Sequence, residues 1–249
     1  MASKKFFMGE YKSTATFDFM RWIPNAFTLG NALMGCLALI FLSPVDLEPM
    51  TYCIGLALLF DLLDGWAARK LGVDGPMGVQ LDSLADAITF GLVPGILWFE
   101  AGRSFLPWWF ALVGLAPTLA SIYRLARFNL GMAGSKGFIG MPTPANALFL
   151  FGVVWGMFLD VWPKPEGTVG FVFFGLITLW STFTLNCSWP VMSFKDMPKG
   201  GPALVSRIIM AALSVSLLII FKMAAFAFII PLLFVFSALE ERLFNPTAS

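Results

Sequence analysis

The sequence contains no histidine. That removes the usual imidazole base and with it the Ser–His and Cys–His nucleophile arrangements, so any proton transfer has to use a carboxylate, Lys, Tyr or another group. Charge is scarce as well. Only 12% of the 249 residues are charged, while 58% are hydrophobic, against about a quarter charged in an ordinary soluble domain. Water is not the main solvent of such a chain. Cysteine is limited to Cys36, Cys53 and Cys187, without paired spacing, which supports neither a zinc site nor a disulfide framework and leaves them as apolar packing residues. The net charge of +1 carries little information, and no nucleic-acid partner is expected.

What the sequence has instead is apolar length. Stretches near the ~20 residues needed to cross a bilayer recur from about residue 24 to residue 239, with no long polar domain between them. The expected fold is an all-α polytopic bundle, a single integral membrane domain over 1–249. Eight spans are expected, at about 24–43, 51–69, 78–99, 105–127, 145–162, 168–187, 203–221 and 223–240. Little more than Lys222 and Met223 separates the last two, so one long helix bent at Pro231 is the alternative. Phe17 to Phe27 mixes Phe17, Phe19, Met20, Trp22 and Ile23 with Asp18 and Arg21, which suits an amphipathic interfacial helix closing an N-terminal tail, residues 1–23. Met1 to Thr14 is polar and has no short apolar core before a small-residue cleavage site, so a cleaved signal peptide is not expected. With eight spans, all Lys and Arg except Arg103, Lys164 and Lys222 fall on one side or at the helix ends facing it. The positive-inside rule makes that side cytoplasmic.

One segment breaks the apolar background: D-L-L-D-G-W-A-A-R at 61–69, then G-V-Q-L-D-S-L-A-D at 78–86. Asp61 and Asp64 are three apart, and Asp82 and Asp86 four apart, so each pair shares one face of its helix. Gly72, Gly75 and Pro76 make the connection a short turn, so a hairpin should bring the pairs together. An intramembrane carboxylate costs roughly 2.5–3.5 kcal/mol on insertion scales, and clustered ones also repel. Two divalent cations would balance four carboxylates, and oxygen ligands suit magnesium, manganese or calcium. Two metals about 4 Å apart can clamp the attacking and leaving oxygens of a phosphoryl displacement. Arg69 supplies a cationic fork for a phosphate, while Gly65 and Ala68 leave room for a ligand or a close helix contact. A salt-bridged surface hairpin does not need acids at helical spacing inside apolar helices, and one nearby Arg cannot neutralise four of them. An ion pathway of a transporter explains the acids but does not require Gly65, Ala68, Arg69 and Gly78.

Asp61-x2-Asp64-Gly65-x2-Ala68-Arg69-x8-Gly78-x3-Asp82-x3-Asp86 resembles the complete signature of the CDP-alcohol phosphotransferase family. Four further segments resemble its phosphatidylserine synthase branch: I-P-N-A-F-T-L-G-N at 23–31, Y-R-L-A-R-F-N at 123–129, G-M-P-T-P-A at 140–145 and S-F-K-D at 193–196. The resemblance implies transfer of a phosphatidyl group from CDP-diacylglycerol to serine, with CMP released, by a homodimer in the bilayer. It further implies that Asp61, Asp64 and Asp82 hold one cation and Asp61, Asp82 and Asp86 a second, magnesium or manganese with calcium as a third possibility. Asp86 would be the general base. The cytidine diphosphate would contact Asn25, Thr28, Gly65, Ala68, Arg69 and Gly78, with Gly75 in the turn a further candidate.

Serine brings a carboxylate and an ammonium, so its site needs a cation beyond Arg69. Arg124 and Arg127 are three apart on one helical face with Asn129 nearby, and Lys195 lies on the same side. Positive-inside anchoring alone also accounts for these charges. Pro142 and Pro144 make 140–146 a stiff entry to the fifth helix, from which Thr143 and Asn146 can reach the alcohol; a purely structural turn is the other reading. The same chemistry on glycerol 3-phosphate, inositol or inositol phosphate remains open, as does a cation transporter.

Overall fold

The structure, a computed structural model, describes residues 2–43, 46–73, 75–131, 140–189 and 201–244, and within these the side chains of all but 2–19, 202–203, 238–239 and 241–244. Among the described residues the regular structure is helical throughout, as the sequence implies, and the chain divides into two compact units, residues 1–89 and 90–249.

The first unit holds α1 (Ala2–Ile40), α2 (Glu48–Leu71) and α3 (Pro76–Asp86). Among the described side chains of α1, those buried against its neighbours are Pro24, Thr28, Asn31, Gly35 and Ala38, one stripe at helical spacing. None is a large apolar residue; Leu29, Leu33 and Ile40 face outward instead. Small inward residues let helix backbones approach closely where lipid gives no hydrophobic drive between helices. At Gly35 a Cβ would stand 3.0 Å from the Cα of Thr89, and at Gly30 one would stand 3.1 Å from the Phe60 ring. α1 therefore packs along α2 and also on α3.

The end of α2 is set by Gly72, in the left-handed region at φ 62°, with the Val73 N–H returning to the Ala68 carbonyl at 3.1 Å. Extended Gly75 and then Pro76 in the first turn begin α3. The expected hairpin is present. α3 runs into a π-helical turn, Ala87–Leu92. Pro94 follows two residues later and cannot donate to the carbonyl four residues back, which makes this a natural place for the ladder to widen.

The second unit holds α4 (Val93–Arg103), α5 (Trp108–Ala111) continuing through a 3-10 turn into α6 (Ala116–Asn129), α7 (Thr143–Phe158), α8 (Gly167–Asn186), α9 (Pro202–Phe221) and α10 (Phe226–Phe244). Its core is anchored by Trp98, fully buried, stacked on Phe174 at 4.6 Å and donating its indole N–H to Thr178 Oγ1 at 2.9 Å. The 140–146 segment is tied to the end of α8: Gly140 N–H donates to the Trp189 carbonyl at 2.9 Å and Met141 N–H to the Thr184 carbonyl at 2.8 Å. Gly140 has φ 71°, and a Cβ there would meet the Leu185, Cys187 and Thr184 carbonyl oxygens at 2.9–3.1 Å.

Among the described residues six helical stretches are long and apolar enough to cross a bilayer. Thr143–Phe158 has 16 residues, short of the ~20 for a full crossing, and Leu204–Ser237 forms one stretch of 34 residues. Within that stretch the chain nonetheless reverses at Lys222, φ 51°. Arg207 of α9 pairs with Glu240 of α10 at 2.7 Å, and the Phe221 and Phe228 rings lie 5.4 Å apart. The single bent helix is thus excluded, and Pro231 lies inside α10 rather than at the break. One expectation is corrected at the N-terminus, where no separate interfacial helix is seen because Ala2 to Ile40 is one α-helix.

Candidate active site

Asp61 and Asp64 sit on α2 and Asp82 and Asp86 on α3, yet these two helices make almost no backbone approach to each other. Each packs on α1 instead, so the acid faces look across a gap. Ligand oxygens of Asp61, Asp64 and Asp82 lie within 4.8 Å of one another. Asp64 is 6% exposed, and Asp61 and Asp82 are half-buried. Asp86, one turn further along α3 and 8% exposed, lies outside that group of three.

Two side chains of α1 reach the acids. Thr28 Oγ1 is 2.7 Å from Asp64 Oδ2 and 3.1 Å from the Pro24 carbonyl. Asn31 Nδ2 donates to Asp86 Oδ1 at 3.4 Å. Among the described residues no ion pair reaches any of the four carboxylates; the two found are Arg103–Glu100 and Arg207–Glu240.

Beside the acids opens a cleft of about 340 Å³, within the size range of small-molecule sites. All the residues expected at the nucleotide line it: Asn25 and Thr28 from α1, Gly65, Ala68 and Arg69 from α2, and Gly75 and Gly78 from the turn and α3. Asp64 and Asp82 are on its wall. The two signature glycines have visible reasons. At Gly65 a Cβ would stand 3.3 Å from Arg69 Nη1, so its absence lets the guanidinium fold back over the helix toward the cleft. At Gly78 the nearest atom is Asn25 Oδ1, 3.8 Å from a built Cβ, so a larger side chain would occupy the cleft beside Asn25.

Three carboxylates with converging oxygens and, among the described residues, no salt bridge to any of them are a donor set for a hard divalent cation. With no histidine in the chain and no cysteine in the cleft, zinc chemistry does not fit. Asp61, Asp64 and Asp82 are the residues that fit such an ion.

The residues expected at the alcohol belong to the second unit. Arg124, Arg127 and Asn129 lie in the last turns of α6, Arg127 with its guanidinium 5.9 Å from the Tyr123 ring centroid. Thr143 and Asn146 lie in the first turn of α7, each 1% exposed, and Asn146 Oδ1 accepts from Ser181 Oγ at 2.5 Å. α8 touches both helices: its Ser181 bonds Asn146 of α7, and its Asn186 Nδ2 donates to the Ala120 carbonyl of α6 at 3.0 Å. Lys195 and the 193–196 segment lie outside the described residues.

Sequence reasoning missed two residues. Arg21 lines the cleft as a second guanidinium, one helical turn before Asn25, but is read in the sequence only as part of the amphipathic segment and as a topology charge. Asn31 touches Asp86; the available signal was an amide inside an apolar run three residues after Thr28.

The comparisons with known proteins agree with the cleft. A family model described as CDP-alcohol phosphatidyltransferase matches residues 21–192, which takes in the cleft and runs into α8 and beyond. The CDP-diacylglycerol--serine O-phosphatidyltransferase of Bacillus subtilis (strain 168) is 36% identical over 131 residues, 53% of this chain and 74% of that protein. The archaetidylserine synthase of Methanothermobacter thermautotrophicus is 39% identical over 129 residues, 51% of this chain and 54% of that protein. The CDP-diacylglycerol--serine O-phosphatidyltransferase of Methanocaldococcus jannaschii is 39% identical over 130 residues, 52% of this chain and 59% of that protein, so the match spans little more than half of either archaeal relative. With three of the signature aspartates clustered, two of them on the cleft wall, and the family model covering most of its length, this chain belongs to the CDP-alcohol phosphatidyltransferase family.

Proposed function

We propose that the protein transfers the phosphatidyl group of CDP-diacylglycerol to L-serine, giving phosphatidylserine and CMP. The observation that carries this reading is one cleft lined by every residue expected at the nucleotide together with Asp64 and Asp82 of the acid cluster. The names of the relatives support serine as the acceptor.

In the reaction the serine Oγ–P bond forms and the bond from that phosphorus to the oxygen of CMP breaks. Asp86 accepts the serine hydroxyl proton on a carboxylate oxygen, which needs that oxygen within hydrogen-bond reach of the hydroxyl. Arg69, folded over Gly65, presents its fork to the diphosphate. Asn25 and Thr28 border the nucleotide with Gly65, Ala68, Gly75 and Gly78, whose small or absent side chains leave its volume open. Asp61, Asp64 and Asp82 hold one divalent cation, and Asp61, Asp82 and Asp86 a second. Magnesium or manganese, when bound, neutralises phosphate charge and stabilises the departing CMP. Arg124, Arg127, Asn129, Thr143, Asn146 and Lys195 serve the serine. The cleft faces the cytoplasm, supported by the distribution of Lys and Arg. The chain acts as one domain, supported by a family match that crosses both units, and as a homodimer, the state implied by the family resemblance.

The test is CMP release by detergent-purified protein given CDP-diacylglycerol and magnesium or manganese, with serine, inositol, inositol phosphate and glycerol 3-phosphate supplied singly. Release that depends on serine and stops with chelator is expected. Release with another alcohol overturns the substrate, and no release with any returns the transporter reading, which predicts cation flux into liposomes.

A further inference from the structure

α2 and α3 carry the acids but scarcely approach each other, and both are packed on α1. The separation and rotation of the two acid faces are therefore set through α1. Among its described side chains the buried stripe is small residues apart from two polar ones, Thr28 at 3% exposure and Asn31 at 0%. Each is directed at a carboxylate of a different helix, Thr28 at Asp64 of α2 and Asn31 at Asp86 of α3.

Neither is explained by stability alone. A helical Thr commonly bonds the carbonyl four residues back, and the Pro24 carbonyl is within reach at 3.1 Å. The hydroxyl has one proton, however, and the carboxylate is closer, at 2.7 Å, and makes the stronger, charge-assisted acceptor. At Asn31 the amide reaches Asp86 while its own Oδ1 is buried with no partner. An orphaned buried acceptor costs about 1–3 kcal/mol, so an Asn selected only to join helices would be poorly chosen here. The position is also locked: Thr89 Oγ1 donates to the Asn31 carbonyl at 3.1 Å, and Gly35, one turn on, lies against the Thr89 backbone.

We propose that Thr28 and Asn31 are positioning residues, by which the first helix holds Asp64 and Asp86 in the orientations that bind the divalent cations. The proposal rests on the metal reading of the proposed function. Hydrogen bonds from outside a metal's ligand set fix ligand orientation, and their loss typically costs 10–100-fold in affinity or activity.

Thr28→Val and Asn31→Leu remove the donors at nearly constant volume, and Thr28→Ser keeps the hydroxyl. Manganese binding to the detergent-purified full chain, without nucleotide, is read from the electron paramagnetic resonance signal of free Mn²⁺, and melting temperatures in chelator are measured alongside. Thr28→Val and Asn31→Leu should each weaken binding about 10- to 100-fold, with Thr28→Ser near wild type. Melting temperatures in chelator should not follow the same order. A helix-joining role alone would lower the melting temperature and leave the affinity of the folded fraction unchanged. Where either variant does not fold, Thr28→Ala or Asn31→Ala, which add no bulk, replaces it. Wild type that binds manganese while both variants bind within twofold of it overturns this proposal only. Wild type that binds no manganese overturns the metal reading and this proposal with it.

Discussion

Three carboxylates with ligand oxygens within 4.8 Å of one another are a source of repulsion that a cation must offset. At that distance each pair of unit charges costs about 3.5 kcal/mol at an effective dielectric of about 20. Asp82 belongs to two of the three pairs, so with all three ionised Asp82→Asn relieves roughly 7 kcal/mol in the cation-free protein, and less when a partner is neutral. A cation present at 100 times its dissociation constant stabilises the folded chain by about 2.7 kcal/mol. At about 2–4 °C per kcal/mol for a chain of this size, chelation should lower the wild-type melting temperature by about 5–10 °C. Asp82→Asn should melt above wild type in chelator and gain little from magnesium. The 9 Trp give a direct readout, intrinsic fluorescence during a thermal scan in detergent with EDTA or millimolar magnesium. A wild-type midpoint indifferent to the cation, or Asp82→Asn melting below wild type in chelator, would refute the reasoning.

Arg69→Lys keeps the charge but loses the planar fork folded over Gly65; CMP release should fall about 10²-fold, comparable to losing one donor from a charge-stabilising site, and wild-type kcat/KM would remove Arg69 from the diphosphate. Gly35→Val places side-chain atoms where a Cβ is already 3.0 Å from Thr89 Cα, so thermal scans in detergent should show a loss of about 1–3 kcal/mol, and an unchanged midpoint would mean that α1 and the π-helical turn are not so closely packed. Arg207 and Glu240 are a largely buried pair, with side chains 12% and 13% exposed. Arg207→Met alone should cost about 3–5 kcal/mol by stranding Glu240, whereas Arg207→Met with Glu240→Met should recover most of it; equal midpoints for the single and double variants would show the pair to be solvated.

Much of the molecule could be read from the sequence because its signals are chemical anomalies or hard stops. Gly72 and Pro76 bound the hairpin, and their backbone demands place the turn whatever surrounds it. Four acids in an apolar run have few tolerable arrangements, so the gathering of Asp61, Asp64 and Asp82 followed from spacing. The errors arose where two structures share one pattern. The mixture of aromatics with Asp18 and Arg21 before residue 24 has the same 3.6 period in an interfacial helix as in an extension of α1, and Pro24 did not end the helix. Likewise, the span estimate of 145–162 for α7 counted apolar length, whereas the chain leaves the helix at Phe158 and turns through Asp160, φ 52°.

The roles of Thr28 and Asn31 were hidden for a deeper reason. In water the inward face of a helix is its apolar face, and periodicity of hydrophobic residues finds it. In α1 the large apolar residues Leu29, Leu33 and Ile40 are the exposed ones, while Pro24, Thr28, Asn31, Gly35 and Ala38 are buried. Read for hydrophobicity, such a helix reveals the face it turns to lipid. The informative pattern is the complementary one: small and polar residues recurring at helical spacing mark the face on which neighbouring helices and their carboxylates are assembled. Read that way, Asn31 shares a face with Thr28 from the sequence alone, and its burial follows from the same spacing that buries Gly35. What spacing cannot supply is the partner, because Asp64 and Asp86 lie on two helices whose separation is fixed only once α1 is packed against both.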